Sequence, residues 1–259
     1  MKGIVTILGS GSSTGTPMIG CRCPTCLSSD VKNQRLRSSI LIELDQKKIL
    51  VDASPDFRQQ ALKEKITQID GIILTHMHFD HIAGIDDTRV FTFGHKSPIP
   101  FLLTQSAWED FSIKYRYFFQ ETKVSTAKLN PQILEKTPIQ TQFLGLNFTF
   151  ISYFQSEMEV IGFKLGNFAY LTDIKTYDEK SLDQLKGVEI LVISALKSEM
   201  TPFHINFDQA IEISQKLNVK QVYLTHLSHE INAAKWEFQL PENVHLAYDG
   251  LKIEVKYER

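Results

Sequence analysis

A short segment that follows an apolar run carries four side chains of the kind that bind metal ions. The apolar run, residues 72–74, predicts a buried β-strand. The four side chains are His76, His78, Asp80 and His81. Because successive side chains of an extended chain point to opposite sides, the first two histidines share a side, and the following turn brings the aspartate and the last histidine round. Imidazoles and a carboxylate that converge at a strand end are typical ligands of divalent metals, so two adjacent metal positions are predicted here.

Composition limits the class of protein and its partners. The 259 residues are 42% hydrophobic and 22% charged, as in an ordinary globular protein, and no Gly-, Ser- or Pro-rich linker divides them. We therefore predict a single domain over residues 1–259. The net charge of −2 argues against nucleic acid and anionic membranes as partners. The apolar runs are too short to span a bilayer, and residues 1–3 lead directly into a strand, so we expect a cytoplasmic protein. The sequence is compatible with a homodimer.

Short β-type runs recur along the whole chain, with fewer helical stretches between them. Strands are predicted at residues 4–8, 40–44, 48–51, 71–74, 100–103, 146–152, 160–165, 168–171, 190–193, 221–224 and 251–255. Helices are predicted at residues 55–65, 106–117, 177–185, 206–217 and 230–239. Gly166-Asn167 indicates a hairpin turn, whereas residues 131–138, with Pro at both ends, indicate an irregular crossing. Strand-rich halves that each end with helices favour an α/β fold, a four-layer αββα sandwich, although periodicity alone leaves a doubly wound sheet open.

All three cysteines lie within six residues, at Cys21, Cys23 and Cys26. An odd, tightly clustered set is a poor disulfide framework, because neighbouring cysteines close no useful loops. Metal ligation is favoured over three reduced thiols in a mobile loop, and a closed tetrahedral zinc site then needs a fourth ligand.

Several motifs in a fixed order resemble those of the metallo-β-lactamase superfamily. They include the hexapeptide of residues 76–81, Leu8-Gly9-Ser10-Gly11-Ser12-Ser13-Thr14-Gly15-Thr16-Pro17, Gly20-Cys21-x-Cys23-x-x-Cys26, Tyr170-Leu171-Thr172-Asp173 and Leu224-Thr225-His226-Leu227-Ser228-His229. The chain is most similar to the branch that includes the phosphoribosyl cyclic phosphodiesterase of phosphonate breakdown. The resemblance implies the αββα sandwich and extends over nearly the whole chain.

The resemblance also implies a role for each ligand. His76 and His78 would hold the first metal. Asp80, His81 and His226 would hold the second, with Asp173 bridging the two through its carboxylate. Asp173 and His226 each follow an apolar strand run, so both could reach the same sheet edge as the hexapeptide.

One position departs from the family pattern. The branch has a third histidine for the first metal, and by spacing Gln155 stands there; no histidine occurs between His95 and His204. A neutral amide oxygen is a harder ligand than imidazole, so the first position should bind zinc less tightly and prefer manganese. We therefore predict one strong and one weak position, with Mn²⁺ or Zn²⁺ as the catalytic metal and one or two ions bound.

The family also supplies a fourth ligand for the cysteines. His229 would complete a structural Zn²⁺ site with Cys21, Cys23 and Cys26, and would fix an N-terminal flap at about residues 9–33 against the metal edge.

His204 and Asp80 are the predicted catalytic residues. The branch has a histidine at position 204 that assists the leaving group, and an unperturbed pKa near ~6.5 would suit a general acid. Without the family, a lone histidine before a helix is more often a polar or capping residue. Asp52 is predicted to be an orienting or structural residue and not a ligand, and His95 and His245 to lie at the surface.

The predicted function is metal-dependent hydrolysis of a small phosphoester substrate, with a metal-bound hydroxide attacking a cyclic or small phosphodiester. Two alternatives stay open. The same fold can cleave carboxylic esters, thioesters or lactones, and Arg89 is the one nearby cation that favours phosphate. A non-catalytic metal-binding protein with a degenerate first site is the third hypothesis.

Overall fold

The computed structural model describes residues 1–94, 97–120 and 126–258, and its strands form two seven-stranded sheets. The first sheet contains β1 (Lys2–Gly9), β2 (Ser39–Leu44), β3 (Lys47–Val51), β4 (Gly71–Ile73), β5 (Ile99–Thr104), β6 (Leu129–Leu134) and β14 (Lys252–Lys256). The second contains β7 (Ile139–Phe143), β8 (Leu146–Gln155), β9 (Met158–Leu165), β10 (Phe168–Leu171), β11 (Ile190–Ser194), β12 (Gln221–Thr225) and β13 (Val244–Leu246).

Each sheet is antiparallel in one half and parallel in the other. The first sheet has the order β14-β1-β2-β3-β4-β5-β6, with parallel pairing from β3 onwards. The second has the order β13-β12-β11-β10-β9-β8-β7, and its parallel half runs from β10 to β13. Parallel neighbours need crossover connections, which places helices on the outer faces of both sheets.

Six α-helices are described: α1 (Phe57–Lys63), α2 (Phe79–Ile82), α3 (Gln105–Lys114), α4 (Glu179–Asp183), α5 (Phe207–Lys216) and α6 (Ala233–Trp236). Val31–Asn33, Ile85–Thr92 and Arg116–Phe118 form 3₁₀ helices. Helix α5 begins with a capping box between Asn206 and Gln209 and buries the apolar face that its spacing predicts.

Three apolar clusters separate the layers. One lies between the two sheets and is rich in Phe, Ile and Val; a second packs α4 and α5 on the second sheet, and a third packs α1 and α3 on the first. The predicted αββα sandwich is thereby confirmed. No helix in the described part of the chain is long and apolar enough to cross a membrane.

Several local predictions need correction. The hairpin at Gly166-Asn167 joins β9 to β10, as predicted. The irregular crossing at residues 131–138 is wrong, because Leu129–Leu134 forms β6 and a proline is tolerated in an edge strand. The helix predicted at 230–239 is reduced to α6, the single turn Ala233–Trp236. His95 lies outside the described residues.

The carboxyl ends of parallel strands from both sheets lie at one edge of the sandwich. Strands β3 and β4 of the first sheet end there, as do β10 and β12 of the second, and the residues that follow them contact one another across the gap. Ligand sites of open α/β sheets form at such ends, so the fold assembles its polar centre at this edge.

Candidate metal centre

Three strands are each followed by a polar residue whose backbone has the left-handed conformation. Asp52, Asp173 and His226 follow β3, β10 and β12, with φ angles of 62°, 52° and 58°. The left-handed conformation is uncommon for residues other than glycine, although Asp, Asn and His adopt it more often than most. It turns the chain sharply at the end of each strand. Backbone strain of this kind persists where the surrounding structure imposes it, which is frequent at functional sites.

Asp52 holds His81 in one orientation. Its Oδ1 accepts the backbone N–H of Thr75 at 2.8 Å, and its Oδ2 accepts the Thr75 hydroxyl at 2.7 Å. Oδ2 also lies 2.6 Å from Nδ1 of His81, which is fully buried. With Nδ1 donating to the carboxylate, Nε2 of His81 is left as the ligand atom. These contacts match the orienting role predicted for Asp52.

His76 is oriented by the same network. The Thr75 hydroxyl donates to Asp52, so its oxygen accepts from Nδ1 of His76, 3.0 Å away. Nε2 of His76 then faces Nδ1 of His78 at 2.9 Å. These two nitrogens face the same point in space, so both could bind one metal ion there.

The remaining ligands converge from the second sheet. Nε2 of His81 lies 3.1 Å from Asp173 Oδ2 and 3.4 Å from Asp80 Oδ2. Nε2 of His226 lies 3.3 Å from Asp173 Oδ1 and 3.4 Å from Asp80 Oδ2. Asp173 thus touches both histidines through different oxygens, which is the placement expected of a bridging carboxylate. We call His76, His78, Asp80, His81, Asp173 and His226 the histidine–aspartate centre.

The charges of this centre depend on one another. Burial opposes the charged form of His81, but Asp80, Asp173 and Asp52 raise its pKa well above the usual value. Burial would raise the pKa of Asp173, yet His226 and His81 hold it well below its usual range. The carboxylates are therefore ionised beside the histidines, and positive charge from protonated imidazoles or from bound metal ions balances them.

The donor set fits divalent metals. Groups of ligand atoms within 4.8 Å of one another comprise His76, His81 and Asp173, then Asp80, His81 and His226, and also Asp173, His204 and His226. Nε2 of His81, which faces Asp80 and Asp173, is buried without a hydrogen-bond partner. Buried polar atoms are rarely left unsatisfied, so nitrogen and carboxylate atoms at these spacings are suited to bind metal ions.

Gln155 lies beside this centre, at the end of β8. It is 6% exposed; its Nε2 donates to Asp173 Oδ1 at 3.2 Å, and its Oε1 is buried without a partner. The structure thus brings Gln155 to the centre, as the spacing indicates. Its role as a metal ligand remains a prediction.

His204 contacts the same residues, but its environment differs from the one we assumed. Its Nε2 lies 3.0 Å from Nε2 of Gln155, and its Nδ1 lies 3.6 Å from Asp173. Burial and the adjacent His226 lower the pKa of His204 to about 4. The premise of an unperturbed pKa near neutrality is therefore wrong, because the ring is largely buried beside another imidazole.

A second group of ligand atoms lies at the flap. Cys21, Cys23, Cys26 and His229, which we call the cysteine cluster, place their ligand atoms within 4.8 Å of one another. Nδ1 of His229 lies 3.6 Å from Cys21 Sγ and 3.5 Å from Cys23 Sγ. Tetrahedral zinc with ordinary Zn–S and Zn–N bonds separates S and N by about 3.5 Å. The arrangement therefore fits a closed metal site.

Backbone groups hold the cluster and its flap in place. The N–H groups of Cys23, Cys26 and Met18 donate to the sulfurs of Cys21, Cys23 and Cys26 respectively. Hydrogen bonding with His229 lowers the pKa of Cys23 to about 6, while burial raises that of Cys26 to about 11.

An open pocket of about 520 Å³ gives access to the histidine–aspartate centre. His78, Asp80, Asp173, His204 and His226 line it, and so do Gln155, Ser13, Ser156, Phe79 and Phe203. Arg89 is not among the residues that line it, and its guanidinium pairs with Asp86 at 2.6 Å. Sequence reasoning missed Thr75 and the two phenylalanines. Their only signal was adjacency to predicted ligands, since exposure cannot be read from residue type.

Comparisons with known proteins agree with this architecture. Residues 47–227 match the profile of the Beta-lactamase superfamily domain. A crystal structure of a diphosphatase from the PhnP family is 35% identical, with a TM-score of 0.91 over 98% of both chains. Zn²⁺-bound PqqB from Methylobacterium extorquens shares the fold, with 20% identity and a TM-score of 0.77 over 96% of this chain and 99% of that one.

A curated relative is longer than this chain. An octanoyltransferase of Porphyromonas gingivalis is 33% identical over 249 residues, which is 95% of this chain and 50% of that protein. The chain thus spans about half the length of the curated relatives it matches, and the name of the whole relative does not assign an acyl transfer to it. With the matched domain profile, the two-sheet fold and the PhnP-family likeness taken together, the chain belongs to the metallo-β-lactamase superfamily.

Proposed function

We propose that this chain is a metal-dependent hydrolase that cleaves small phosphodiesters. The observation that carries the proposal is the convergence of buried histidines and carboxylates from two sheets at the floor of an open pocket. The 35% identity to a PhnP-family diphosphatase supports a phosphorus centre over a carbonyl centre. Neither observation identifies a physiological substrate.

Different residues of the centre have different roles in the proposed reaction. Bound divalent ions supply Lewis acidity, which lowers the pKa of a water and neutralises charge on phosphoryl oxygens. Asp52 and Thr75 orient His81 and His76 so that Nε2 of each faces the metal positions. Asp80 and Asp173 provide the anionic oxygens of those positions.

His204 is suited to move a proton at the leaving oxygen. With a pKa of about 4, its ring is neutral at pH 7 when the pocket holds no anion. A phosphate beside it would raise that pKa, because a nearby negative charge favours the protonated imidazole. His204 lies beside Asp173 in the pocket, so a proton on its ring would be within reach of a leaving oxygen bound there.

The two metal positions are expected to differ in strength. Gln155 offers one neutral oxygen, its unpartnered Oε1, where the family pattern has the third histidine of the first position, whereas Asp80, His81 and His226 are three strong donors. A harder and weaker donor set favours manganese over zinc. We propose that the second position binds Mn²⁺ or Zn²⁺ tightly, that the first fills at higher metal concentration, and that the cysteine cluster holds structural Zn²⁺.

A second candidate is the cleavage of a phosphoanhydride, favoured by the similarity to a protein described as a PhnP-family diphosphatase. In such a reaction the leaving group is a phosphate oxygen instead of an alkoxide. The same residues serve both reactions, because attack in each case occurs at phosphorus and charge develops on the same kinds of oxygen.

A substrate panel with metal analysis tests the proposal. Manganese-loaded protein is assayed on bis(p-nitrophenyl) phosphate, a dinucleoside diphosphate, p-nitrophenyl acetate and a lactone, with bound metal counted in parallel. We expect turnover of the phosphodiester, loss of most of it in His204→Ala, and no loss in the control His245→Ala, which lies in edge strand β13. Hydrolysis of only the ester or lactone, or of nothing, contradicts the proposal.

A further inference from the structure

Arg35 is a buried cation that has no role in the proposed reaction. Its side chain is 1% exposed, and burial lowers its pKa to about 10, so the guanidinium is still charged at pH 7. Nη1 donates to the carbonyl of Ser228 at 3.3 Å, and Nη2 donates to Oδ1 of Asn33 at 3.2 Å. Both acceptors are neutral oxygens. A buried charge is costly unless it is well bonded, so we expect this one to specify a single arrangement of the groups that it contacts.

The chain segment that Arg35 contacts connects the two groups of metal ligands. His226 belongs to the histidine–aspartate centre and His229 to the cysteine cluster, so residues 226–229, which we call the linking segment, contribute a ligand to each. One end of this segment is fixed by backbone pairing, because the N–H of Leu227 donates to the carbonyl of Ser10 at 2.9 Å. The other end needs a different support.

The guanidinium of Arg35 supports the end of the linking segment that lies near the cysteines. The carbonyl of Ser228, which accepts from Nη1, is the peptide oxygen directly before His229. The backbone of Arg35 is itself held to the flap, since its carbonyl accepts the N–H of Thr16 at 2.8 Å and its N–H donates to the carbonyl of Thr16 at 2.7 Å. Arg35 therefore joins the flap to the linking segment.

Asn33 extends this network to the loop of the cysteine cluster. Its Nδ2 donates to the hydroxyl of Ser28 at 3.0 Å, two residues after Cys26. Its Oδ1, which accepts from Arg35, also accepts the N–H of Ala233 at 2.9 Å. Asn33 is 1% exposed, so these bonds lie away from water. A shift of the cysteine loop would thus be transmitted to the guanidinium and, through it, to the linking segment.

We propose that Arg35 is a positioning residue that couples the cysteine cluster to the histidine–aspartate centre. By holding the carbonyl of Ser228, it fixes the linking segment, so that His226 keeps its ligand orientation when the cluster is closed by its metal. Occupancy of the cluster then strengthens metal binding at the centre, and by linkage the reverse holds by the same factor. The inference rests on the metal sites of the proposed function and is independent of its substrate.

Titration of Mn²⁺ into the centre measures this coupling. Four proteins are compared: the wild-type protein, Cys23→Ala, Arg35→Met and the double variant. Each is prepared with one zinc per chain at the cysteine cluster, or with none where Cys23 is replaced, as checked by metal analysis. Mn²⁺ prefers oxygen and nitrogen ligands to thiolates, so it reports on the centre. Free Mn²⁺, counted by its EPR signal, gives the Kd.

The effect of Cys23→Ala should depend on residue 35. In the otherwise wild-type protein we expect Cys23→Ala to weaken Mn²⁺ binding by about tenfold, a factor usual for coupled sites. In the Arg35→Met background the same substitution should weaken it by about threefold or less, because the carbonyl of Ser228 is no longer held. Arg35→Lys keeps the charge without the fork of donors and should also reduce the factor, which covers the case in which Arg35→Met folds poorly.

Two control variants separate coupling from general destabilisation. Arg58→Met removes an exposed arginine of α1. Phe143→Leu reduces packing at a fully buried ring that lies against Gly71, at the start of β4 and so away from the carboxyl ends that carry the centre. Both should retain the tenfold effect of Cys23→Ala. A reduced factor in Phe143→Leu would mean that lower stability alone removes the coupling, which overturns the assignment to Arg35.

Each failure has its own signature. Equal Kd values for Mn²⁺ in the wild-type protein and in Cys23→Ala overturn the coupling between the two sites. A full tenfold factor that persists in Arg35→Met or in Arg35→Lys overturns the role of Arg35. Failure of the metal-loaded wild-type protein to hydrolyse bis(p-nitrophenyl) phosphate contradicts the proposed function, and it leaves the Mn²⁺ affinities and their comparison unchanged.

Discussion

The cysteine cluster and the histidine–aspartate centre both fit metal ions, but they are built in opposite ways. Three of the four ligands of the cysteine cluster come from six consecutive residues, and only His229 is distant. The histidine–aspartate centre collects ligands from the ends of β4, β10 and β12, and its histidines are oriented by Asp52 and Thr75. The cluster is closed by four protein donors, whereas the centre opens onto a pocket. A closed site suits structure, and an open site suits chemistry.

The largest expected effect comes from removing the carboxylate shared by both positions of the centre. In Asp173→Ala we expect hydrolysis to fall by more than about 100-fold, since loss of a mere orienting partner already costs about 10–100-fold. Metal analysis should show loss of ions from the centre and retention of one zinc at the cysteine cluster. Asp183→Ala, at the exposed end of α4, is the control. Full metal content in Asp173→Ala would contradict the assignment.

A substitution in the cysteine cluster should lower stability and remove the zinc ion of that cluster. In Cys23→Ala we expect one zinc per chain to be lost and the free energy of unfolding to fall by about 2 kcal/mol or more, because a structural metal stabilises the fold directly. Thermal unfolding with and without a chelator measures this. Arg22→Ala, an exposed neighbour in the same loop, should change neither quantity. Equal stability of Cys23→Ala and the wild-type protein would refute a structural role.

An intermediate effect is expected from the orienting carboxylate. Asp52→Asn keeps the shape of the side chain but weakens its bond to Nδ1 of His81. Metal affinity of the centre should drop by about 10–100-fold, as measured by competition with a chelator, while the cysteine cluster retains its ion. An unchanged affinity would show that His81 is held by packing alone.

The smallest effect concerns a buried carboxylate that no histidine neutralises. Burial raises the pKa of Asp249 from 3.8 to about 6, although Ser10 and Leu36 donate hydrogen bonds to it. A raised pKa means that the folded chain binds this proton more tightly than the unfolded chain. The free energy of unfolding should therefore decrease as pH rises from about 4 through about 6, and stay low above that range.

Comparison with Asp249→Asn isolates this contribution. We expect the variant to lack that part of the pH dependence, measured by chemical denaturation at several pH values. Identical profiles for the two proteins would contradict it. Asp173, whose histidines lower its pKa, shows the opposite electrostatic condition within the same fold.

The accuracy of the strand predictions depended on position in the sheet. Central strands such as β10 and β11 are buried on both faces and appear as continuous apolar runs. The three strands that sequence reasoning missed, β6, β7 and β13, all lie at sheet edges. Edge strands tolerate proline and polar residues, so their patterns carry little signal.

Site residues that are close together in sequence were predicted, whereas most of those that are distant in sequence were not predictable from the residues alone. Ligands close together in the chain, the hexapeptide and the three cysteines, were recognisable as metal-type spacings. Asp173, His226 and His229 became candidates only through the family resemblance, since an isolated Asp or His after a strand is common. The roles of Thr75 and the two rim phenylalanines were not predictable, because exposure and hydrogen bonding depend on neighbours distant in sequence.

The sequence by itself determined the class of chemistry, since donor atoms at short spacing restrict what a strand end can bind. It also indicated the layered fold, because the period of apolar residues reports local burial. Only the tertiary structure decided the electrostatics. It buried His204 against His226 and thereby lowered the pKa of His204, which sequence reasoning had taken as ordinary. It also left the rings of Phe79 and Phe203 exposed beside ionised carboxylates, in a pocket whose described lining has no Lys or Arg. Burial and charge balance of this kind arise only when strand ends that are distant in sequence meet.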